Sequence, residues 1–516
     1  MRCYYITVAS FYVQNFGCRA TQADGAAIER QFQERGLARA SAPADAEIVV
    51  LNTCTVTAAA DQDARAAIRR VHRDNPLARI VITGCYAQRS PEELASLPGV
   101  TQVVGNSHKH RLAELAVSQF RQGFHDTNAL ADGELRSRDR TFLPLSALTE
   151  NRELRTENSV FVSDIFAHTE LLAAPVFDAA NERTRPNLKV QDGCDNRCSF
   201  CVIPYVRGQS RSLKLEDVLR EVNTLVATGY RELVISGINL GRWGRDVPVT
   251  SHQSSVVRMD DEAHSLATDD WRLTTLIRAI LERTSLEKLR VSSVEPMDWS
   301  DEFISLVANS PRIAKHAHVP MQSGCDAVLR RMHRKYRPWH YREKIEKIRA
   351  AMPTAAIGAD VMVGFPGETD SEFEETRRMV ESLPLTYLHV FTYSARPGTP
   401  AAEMARHVPV HVARERNRVL RELAAQKKLA FMRAFIGRTV QAITLRASAG
   451  DNPGYDETNT RETTEALTDN YLKMHLTGHH VANRWMSVHV HSVECDALTG
   501  DRADSGSSDG LSRRVV

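Results

Sequence analysis

Residues 192–201 read Asp192-Gly193-Cys194-Asp195-Asn196-Arg197-Cys198-Ser199-Phe200-Cys201, a C-x3-C-x2-C run just after an apolar-alternating segment at 187–190. Three thiolates at this spacing can wrap one corner of a cubane iron–sulfur cluster, which normally takes four cysteines. The fourth iron is then open to a small molecule. An open iron suggests chemistry rather than storage of an electron. Zinc sites also gather cysteines, but usually as two C-x2-4-C pairs, or as a pair with histidines. Here the second pair is missing, and no histidine lies between Cys194 and Arg211. A disulfide framework fits less well still. Nine cysteines in 516 residues are an odd, sparse set, and reduced thiols suit a cytosolic chain.

Phe200 places an aromatic before the last cysteine, and with it the run resembles the radical S-adenosylmethionine (SAM) signature. That resemblance implies that the amino and carboxylate groups of SAM chelate the open iron. It also implies that an injected electron splits the sulfonium to a 5′-deoxyadenosyl radical.

The chain is too long for one ordinary domain, and about three are expected from length. An apolar fraction of 42% with 25% charged residues belongs to a soluble globular protein. No stretch approaches the ~18 apolar residues of a membrane span. Residues 1–9 lack a long apolar region and a small-residue cleavage site, so no signal peptide is read and a cytoplasmic location is expected. A net charge of +2 gives no global basic field, so any nucleic-acid signal must be local.

The fold class read from the pattern is α/β. Residues 10–123 alternate strands at 10–16, 47–53, 79–83 and 101–105 with helices at 24–35, 59–73, 91–97 and 109–122, which argues a parallel sheet covered by helices. Ligands in such sheets gather at the carboxyl ends of the strands. Cys18, Cys54 and Cys85 follow the first three strands there. One such cysteine is often a small buried hydrophobe. Three at equivalent strand ends point instead to a second three-cysteine cluster. A linker or partly ordered insertion is expected at 124–185, with 160–166 docking as an extended stretch. Residues 186–410 repeat strand and helix as a partial (β/α)6 barrel, open on one side. Its strands are read at 187–191, 232–236, 288–292, 316–320, 355–363 and 387–392, and a solvated insertion at 246–270. A basic helical connector follows at 411–436, then a small all-β domain at 437–497 with a polar loop at 452–465, and a disordered tail at 498–516.

Several barrel strands end in polar or glycine-rich turns. Gly237 and Asn239 follow the second, and Gly364 ends the fifth. Glu295 offers acceptors for ribose hydroxyls, and Gln322 offers both donor and acceptor. Each is a weak signal alone. Together they outline one ligand mouth for SAM.

Two three-cysteine sets, a barrel and a terminal β domain together resemble the radical SAM methylthiotransferase family over nearly the whole chain. The resemblance implies two 4Fe-4S clusters, one on Cys194, Cys198 and Cys201 and an auxiliary one on Cys18, Cys54 and Cys85. It implies that a sulfur atom and a methyl group are added to an unactivated carbon–hydrogen bond. Thr83-Gly84-Cys85-Tyr86-Ala87-Gln88, Ser292-Ser293-Val294-Glu295-Pro296 and His389-Val390-Phe391-Thr392-Tyr393-Ser394 look most like the branch acting on N6-threonylcarbamoyladenosine, at carbon 2 of adenosine-37 in tRNA. The isopentenyladenosine and ribosomal-protein aspartate branches are the alternatives within the family. Outside it stand an iron–sulfur electron carrier or redox sensor, and an RNA-binding module with structural zinc. The chain departs from the family at Thr21, where Asn is usual in the first cysteine motif. That departure alters a hydrogen bond expected to orient the auxiliary cluster.

The all-β domain resembles the RNA-binding TRAM domain. Residues 414–438 carry eight Lys or Arg against two Glu, a net +6. Such a run is as often a plain solvated face. Beside a TRAM-like barrel it reads as a phosphate-contacting surface, with Arg414, Arg418, Lys427, Lys428 and Arg438 as candidates. Phe435, Tyr471 and Trp485 are candidate base-stacking residues, with core packing the commoner use. The partners implied are a tRNA anticodon stem-loop and an electron donor such as flavodoxin or ferredoxin. No membrane is involved, and a monomer is expected.

Overall fold

The computed structural model describes residues 9–118, 159–167, 184–246, 272–446 and 463–503. These form two compact units. The first holds the N-terminal described residues with Gly193–Asn196 and Cys201–Gln209. The second holds Arg197–Phe200 and the remaining described residues.

In the first unit, β1 (Ser10–Asn15), β2 (Ala38–Arg39), β3 (Ile48–Thr53), β4 (Arg79–Gly84), β5 (Val100–Gly105) and β6 (Ser159–Phe161) pair in the order β2-β1-β3-β4-β5-β6. Every ladder is parallel. The sequence of β3 is apolar over four consecutive residues because both of its faces are covered. Ile48 and Val50 pack with Phe11, Ile28 and Phe32 on one face. Val49 and Leu51 pack with Ile68, Val71 and Ile82 on the other. Alternate residues of one strand thus feed two cores, each buried branched side chain contributing roughly 1.5–3 kcal/mol. Helix Arg19–Glu34 supplies the first face and Ala58–Asp74 the second. The first helix begins five residues before the expected position, directly after Cys18. Most of the expected linker at 124–185 lies outside the described residues, but β6 docks within it as an extended stretch against β5.

In the second unit, β7 (Asn187–Asp192), β8 (Arg211–Ser212), β9 (Glu232–Gly237), β10 (Lys288–Val291), β11 (His316–His318), β12 (Ala356–Val363) and β13 (Tyr387–Thr392) build the barrel. β7, β9 and β10 run parallel side by side, as do β11, β12 and β13. The bridges Leu289↔Ile313 and Ser293↔His318 join the two sets. Six parallel strands therefore follow one another in chain order. No ladder joins β13 to β7 among the described residues, and the short antiparallel β8, which the sequence reading missed, sits on the β7 edge. Helix Asp301–Asn309 starts where Ser300 Oγ accepts from Phe303 N at 3.1 Å and caps it. The expected insertion at 246–270 lies, beyond Asp246, outside the described residues.

Helix Val410–Arg433 leads into β14 (Thr439–Thr444), β15 (Thr463–Thr468), β16 (Lys473–Thr477), β17 (Trp485–Glu494) and β18 (Ala497–Arg502). They close a barrel in the order β14-β15-β16-β18-β17. Three expectations are corrected here. The tail read as disordered from 498 begins with β18, which closes the barrel by pairing with both β16 and β17. Leu498 is buried in the core, whereas the polar Asp501-Arg502 that suggested a tail faces outward. The loop read to 465 ends earlier, since β15 starts at Thr463. Phe435 is buried among Met432, Leu472 and Leu476, so it is a core residue and not a base-stacking platform.

Candidate functional site

β1, β3 and β4 lie side by side with Asn15 opposite Asn52 and Thr53 opposite Gly84, which brings their carboxyl ends level. Cys18, Cys54 and Cys85 leave those ends. Cys18 is the N-cap of helix Arg19–Glu34, at the positive end of that helix. Two glycines make the approach possible. Gly17 has φ +98° and a Cβ there would sit 2.6 Å from Cys54 Cβ. Gly84 has φ +100° and a Cβ would sit 2.2 Å from the Thr53 carbonyl oxygen. Both conformations are ones that side chains rarely adopt.

The Cys54 thiol is pushed up to about 12, first by burial and then by the neighbouring Cys85 and Cys18 thiols; the Val56 amide and the Arg207 guanidinium pull it back. Both neighbouring sulfurs are therefore close enough to act on Cys54. Donors lie near the three sulfurs. Asn106 Nδ2 lies 3.6 Å from Cys85 Sγ and donates to Val206 O at 2.7 Å. Thr21 Oγ1 lies 3.6 Å from Cys18 Sγ, and the Thr21 carbonyl accepts from Asn52 Nδ2 at 2.8 Å. Arg207 is buried and donates to Asp24 at 2.9 Å, and Lys109 donates to the same carboxylate oxygen at 3.0 Å. Buried Cys54 and Cys85 together with the exposed Cys18, within reach of N–H and O–H donors, fit a cationic iron core carrying sulfur acceptors. Such a core deprotonates its thiols, and donors to the sulfurs tune it.

Within the C-x3-C-x2-C loop, the Cys194 amide donates to Gly208 O at 3.1 Å. Ser199 is held twice: its amide donates to Met332 O at 3.1 Å and its hydroxyl to Arg331 O at 2.7 Å. Cys198 Sγ accepts from Arg334 Nη1 at 3.1 Å. The Arg334 guanidinium also pairs with Glu295 through Nη2 and lies 5.0 Å over the Tyr336 ring. Glu295 is largely buried, and that burial raises its carboxyl above the ordinary range against the pull of Arg334. The Phe200 ring meets Phe365 edge-on at 6.4 Å.

The remaining expected SAM contacts are disposed differently from one another. The Asn239 backbone amide donates to Gln191 Oε1 at 2.7 Å, and the same Gln191 side chain covers Gly237. The Gly364 amide donates to Glu368 Oε2 at 2.6 Å, and a Cβ on Gly364 would sit 2.6 Å from Ala413 Cβ. Packing therefore explains the glycine at 364. Gln322 has φ +61° and is anchored by its backbone to Asp360 O, while its side-chain amide has no hydrogen bond among the described residues. Sequence reasoning missed Arg207, Asn106 and Arg334, whose neighbourhood is visible only once distant segments are brought together.

Much of the charge in the basic run is compensated. Arg416 is buried against Glu368 and Asp370, both at 2.7 Å. Arg418 pairs with Glu415 and Glu422, and Lys428 with Asp496. Lys427 donates to Glu381 O at 2.8 Å, and burial lowers its ammonium below the ordinary lysine range. Arg414, Arg421, Arg433 and Arg438 are exposed. Tyr471 packs on the His316 ring at 4.7 Å, and Trp485 lies 5.1 Å below the Lys288 ammonium.

Residues 10–105 match the uncharacterized protein family UPF0004, and residues 188–380 match the radical SAM superfamily. The chain is 32% identical to the threonylcarbamoyladenosine tRNA methylthiotransferase MtaB of Bacillus subtilis over 91% of each chain. It is 32% identical to the protein of the same name from Aquifex aeolicus, over 90% of this chain and 96% of that one. It is also 33% identical to a tRNA-2-methylthio-N(6)-dimethylallyladenosine synthase of Novosphingobium aromaticivorans, over 86% of this chain and 88% of that one. In fold it is similar to the radical SAM methyltransferase TsrM of Kitasatospora setae, with a TM-score of 0.50, 15% identity and 77% of each chain covered.

Proposed function

The chain belongs to the radical SAM methylthiotransferase family, and from that premise we propose that it methylthiolates carbon 2 of N6-threonylcarbamoyladenosine at adenosine-37 of tRNA. The observation that carries the reading is the grouping of Cys18, Cys54 and Cys85 at three level strand ends, in one chain with the C-x3-C-x2-C loop. The names of relatives that align over about nine-tenths of the chain support the threonylcarbamoyl substrate. So do the segments around Cys85, Glu295 and His389.

When bound, SAM and the two 4Fe-4S clusters supply hydrogen abstraction from the base and the methylthio group. The protein's own residues position that chemistry. Cys194, Cys198 and Cys201 are the thiolate donors of one cluster, and Arg334 fixes Cys198 and compensates its charge. Cys18, Cys54 and Cys85 are the donors of the other, with Arg207 favouring the Cys54 thiolate. Of the expected SAM contacts, Gln322 keeps an uncommitted amide for the cofactor. Glu295, tied to Arg334, acts through that arginine. The C-terminal barrel and the exposed arginines of its connector suit an RNA backbone. A small reductant such as flavodoxin or ferredoxin is the proposed electron donor, in the cytoplasm. No helix among the described residues is long and apolar enough to cross a membrane.

The dimethylallyladenosine branch is the second reading, favoured by the Novosphingobium relative of similar identity. Nucleoside mass spectrometry of tRNA from a strain lacking the chain separates the two. Loss of methylthiolated threonylcarbamoyladenosine supports the proposal. Loss of methylthiolated isopentenyladenosine, with the other nucleoside unchanged, assigns the second branch.

A further inference from the structure

Three donor side chains outside both cysteine sets converge on adjacent barrel strands. His318 ends β11, Asp360 lies within β12 and His389 within β13. Asp360 is the direct ladder partner of His389, and His318 is paired to Gly358, two residues before Asp360. In β12, Ala359, Val361 and Val363 are buried while Asp360 and Met362 are half-buried, so Asp360 points away from the face that the apolar residues fill. One ligand atom from each of the three residues lies within 4.8 Å of the other two.

Within the group, His318 and Asp360 lie in contact. His318 Nε2 is buried and lies 3.2 Å from Asp360 Oδ1, yet the approach lacks hydrogen-bond geometry and the nitrogen has no hydrogen-bond partner among the described residues. A buried imidazole nitrogen in that position loses hydration without replacement. Ring packing holds the imidazoles. Tyr387 stacks on His318 at 6.0 Å and meets His389 edge-on at 5.5 Å, and its hydroxyl is 2.6 Å from His316 Nε2.

Two imidazoles and one carboxylate are a donor set for a first-row divalent cation, with coordination positions left over for water or a ligand oxygen. An anion would be repelled by Asp360, whereas a cation is attracted by its carboxylate and by imidazole lone pairs. Bonds of about 2.0–2.2 Å require the donors to draw together by roughly 1 Å, a movement open to the exposed His389. We propose that His318, Asp360 and His389 bind one divalent transition-metal cation in the barrel, in addition to the cysteine-held clusters.

The test uses the full-length protein with both clusters reconstituted, titrated anaerobically with Zn2+ and observed at the zinc absorption edge, where iron does not interfere. One zinc per chain is expected, with a first shell of nitrogen and oxygen alone at about 2.0–2.2 Å. His389→Ala and Asp360→Asn should each weaken zinc binding at least tenfold while iron content stays near that of the parent. His389→Gln, at the exposed position, gives the same readout should Asp360→Asn lose its clusters. A shell containing sulfur at about 2.3 Å would show zinc on cysteines and overturn the proposal, as would zinc affinity unchanged in both His389 variants.

Discussion

Arg334 places Nη1 3.1 Å from Cys198 Sγ, across 136 residues of sequence, while its Nη2 meets the Glu295 carboxylate. One buried guanidinium therefore ties Cys198, the proposed cluster ligand of the C-x3-C-x2-C loop, to the turn after β10. A charge-assisted N–H to sulfur stabilises the thiolate and raises the reduction potential of whatever the thiolate holds. Lysine at this position keeps a charge but loses the fork that spans both partners. Arg334→Lys should lower the potential of the radical SAM cluster and cut SAM cleavage at least tenfold while leaving about four irons on each cysteine set. Redox titration followed by electron paramagnetic resonance, with 5′-deoxyadenosine quantified alongside, checks this. An unchanged potential would remove Arg334 from its positioning role.

The same pair carries a pH signature. Burial raises the Glu295 carboxyl and Arg334 draws it down. In Arg334→Gln that pull is gone, so the folded-state value rises further above the unfolded value of about 4.3. Between those two values the unfolded chain has released a proton that the folded chain retains, so stability falls as pH rises. The urea midpoint of Arg334→Gln should fall as pH rises above about 4.3, and the double variant with Glu295→Gln should not show that slope. Parallel slopes in the single and double variants would contradict the assignment.

The placing of Cys18, Cys54 and Cys85 at three strand ends was legible in the sequence because each sits next to a local mark: a strand that ends, or a glycine that turns. What surrounds the sulfurs was not. Arg334 and Arg207 are ordinary basic residues in sequence, and Arg207 meets Asp24 across 183 residues. The basic connector misled for a related reason. Counting charges summed Arg416 and Lys428 into a surface field, but their partners Glu368 and Asp496 arrive from 48 and 68 residues away. β18 was hidden because only its first residues are apolar, and a strand that closes a barrel needs partners the local pattern cannot name.

Gly84 is the tightest point of the auxiliary site. Its φ of +100° and the 2.2 Å approach of a Cβ to the Thr53 carbonyl leave no room for alanine without moving β4 from β3. Gly84→Ala should reduce iron and sulfide from about eight to about four per chain while SAM cleavage by the other cluster persists. Retention of the full complement would show that Cys85 reaches its place without this turn.

Thr21 sets its hydroxyl 3.6 Å from Cys18 Sγ. Thr21→Val keeps the shape and removes the donor. SAM cleavage should be unchanged and methylthiolated product should fall several-fold. Thr21→Asn restores a donor and should recover product. Equal product from Thr21→Val and the parent would make the hydroxyl irrelevant to the cluster.

Arg416 and Arg418 stand two residues apart on one helix and should behave oppositely. Arg416→Met leaves Glu368 buried without its cation, which costs on the order of 3–5 kcal/mol. Arg418 lies in solvent with Glu415 and Glu422, and Arg418→Met should leave the urea midpoint unchanged. If tRNA follows the exposed charge, Arg414→Glu and Arg438→Glu should weaken binding and flatten its salt dependence, each by about one unit of slope. Removing Arg418, whose charge its neighbours already offset, should change that slope far less. The measurement is the tRNA dissociation constant across a salt series for the four proteins. Identical slopes in all of them would place the RNA on another face of the molecule.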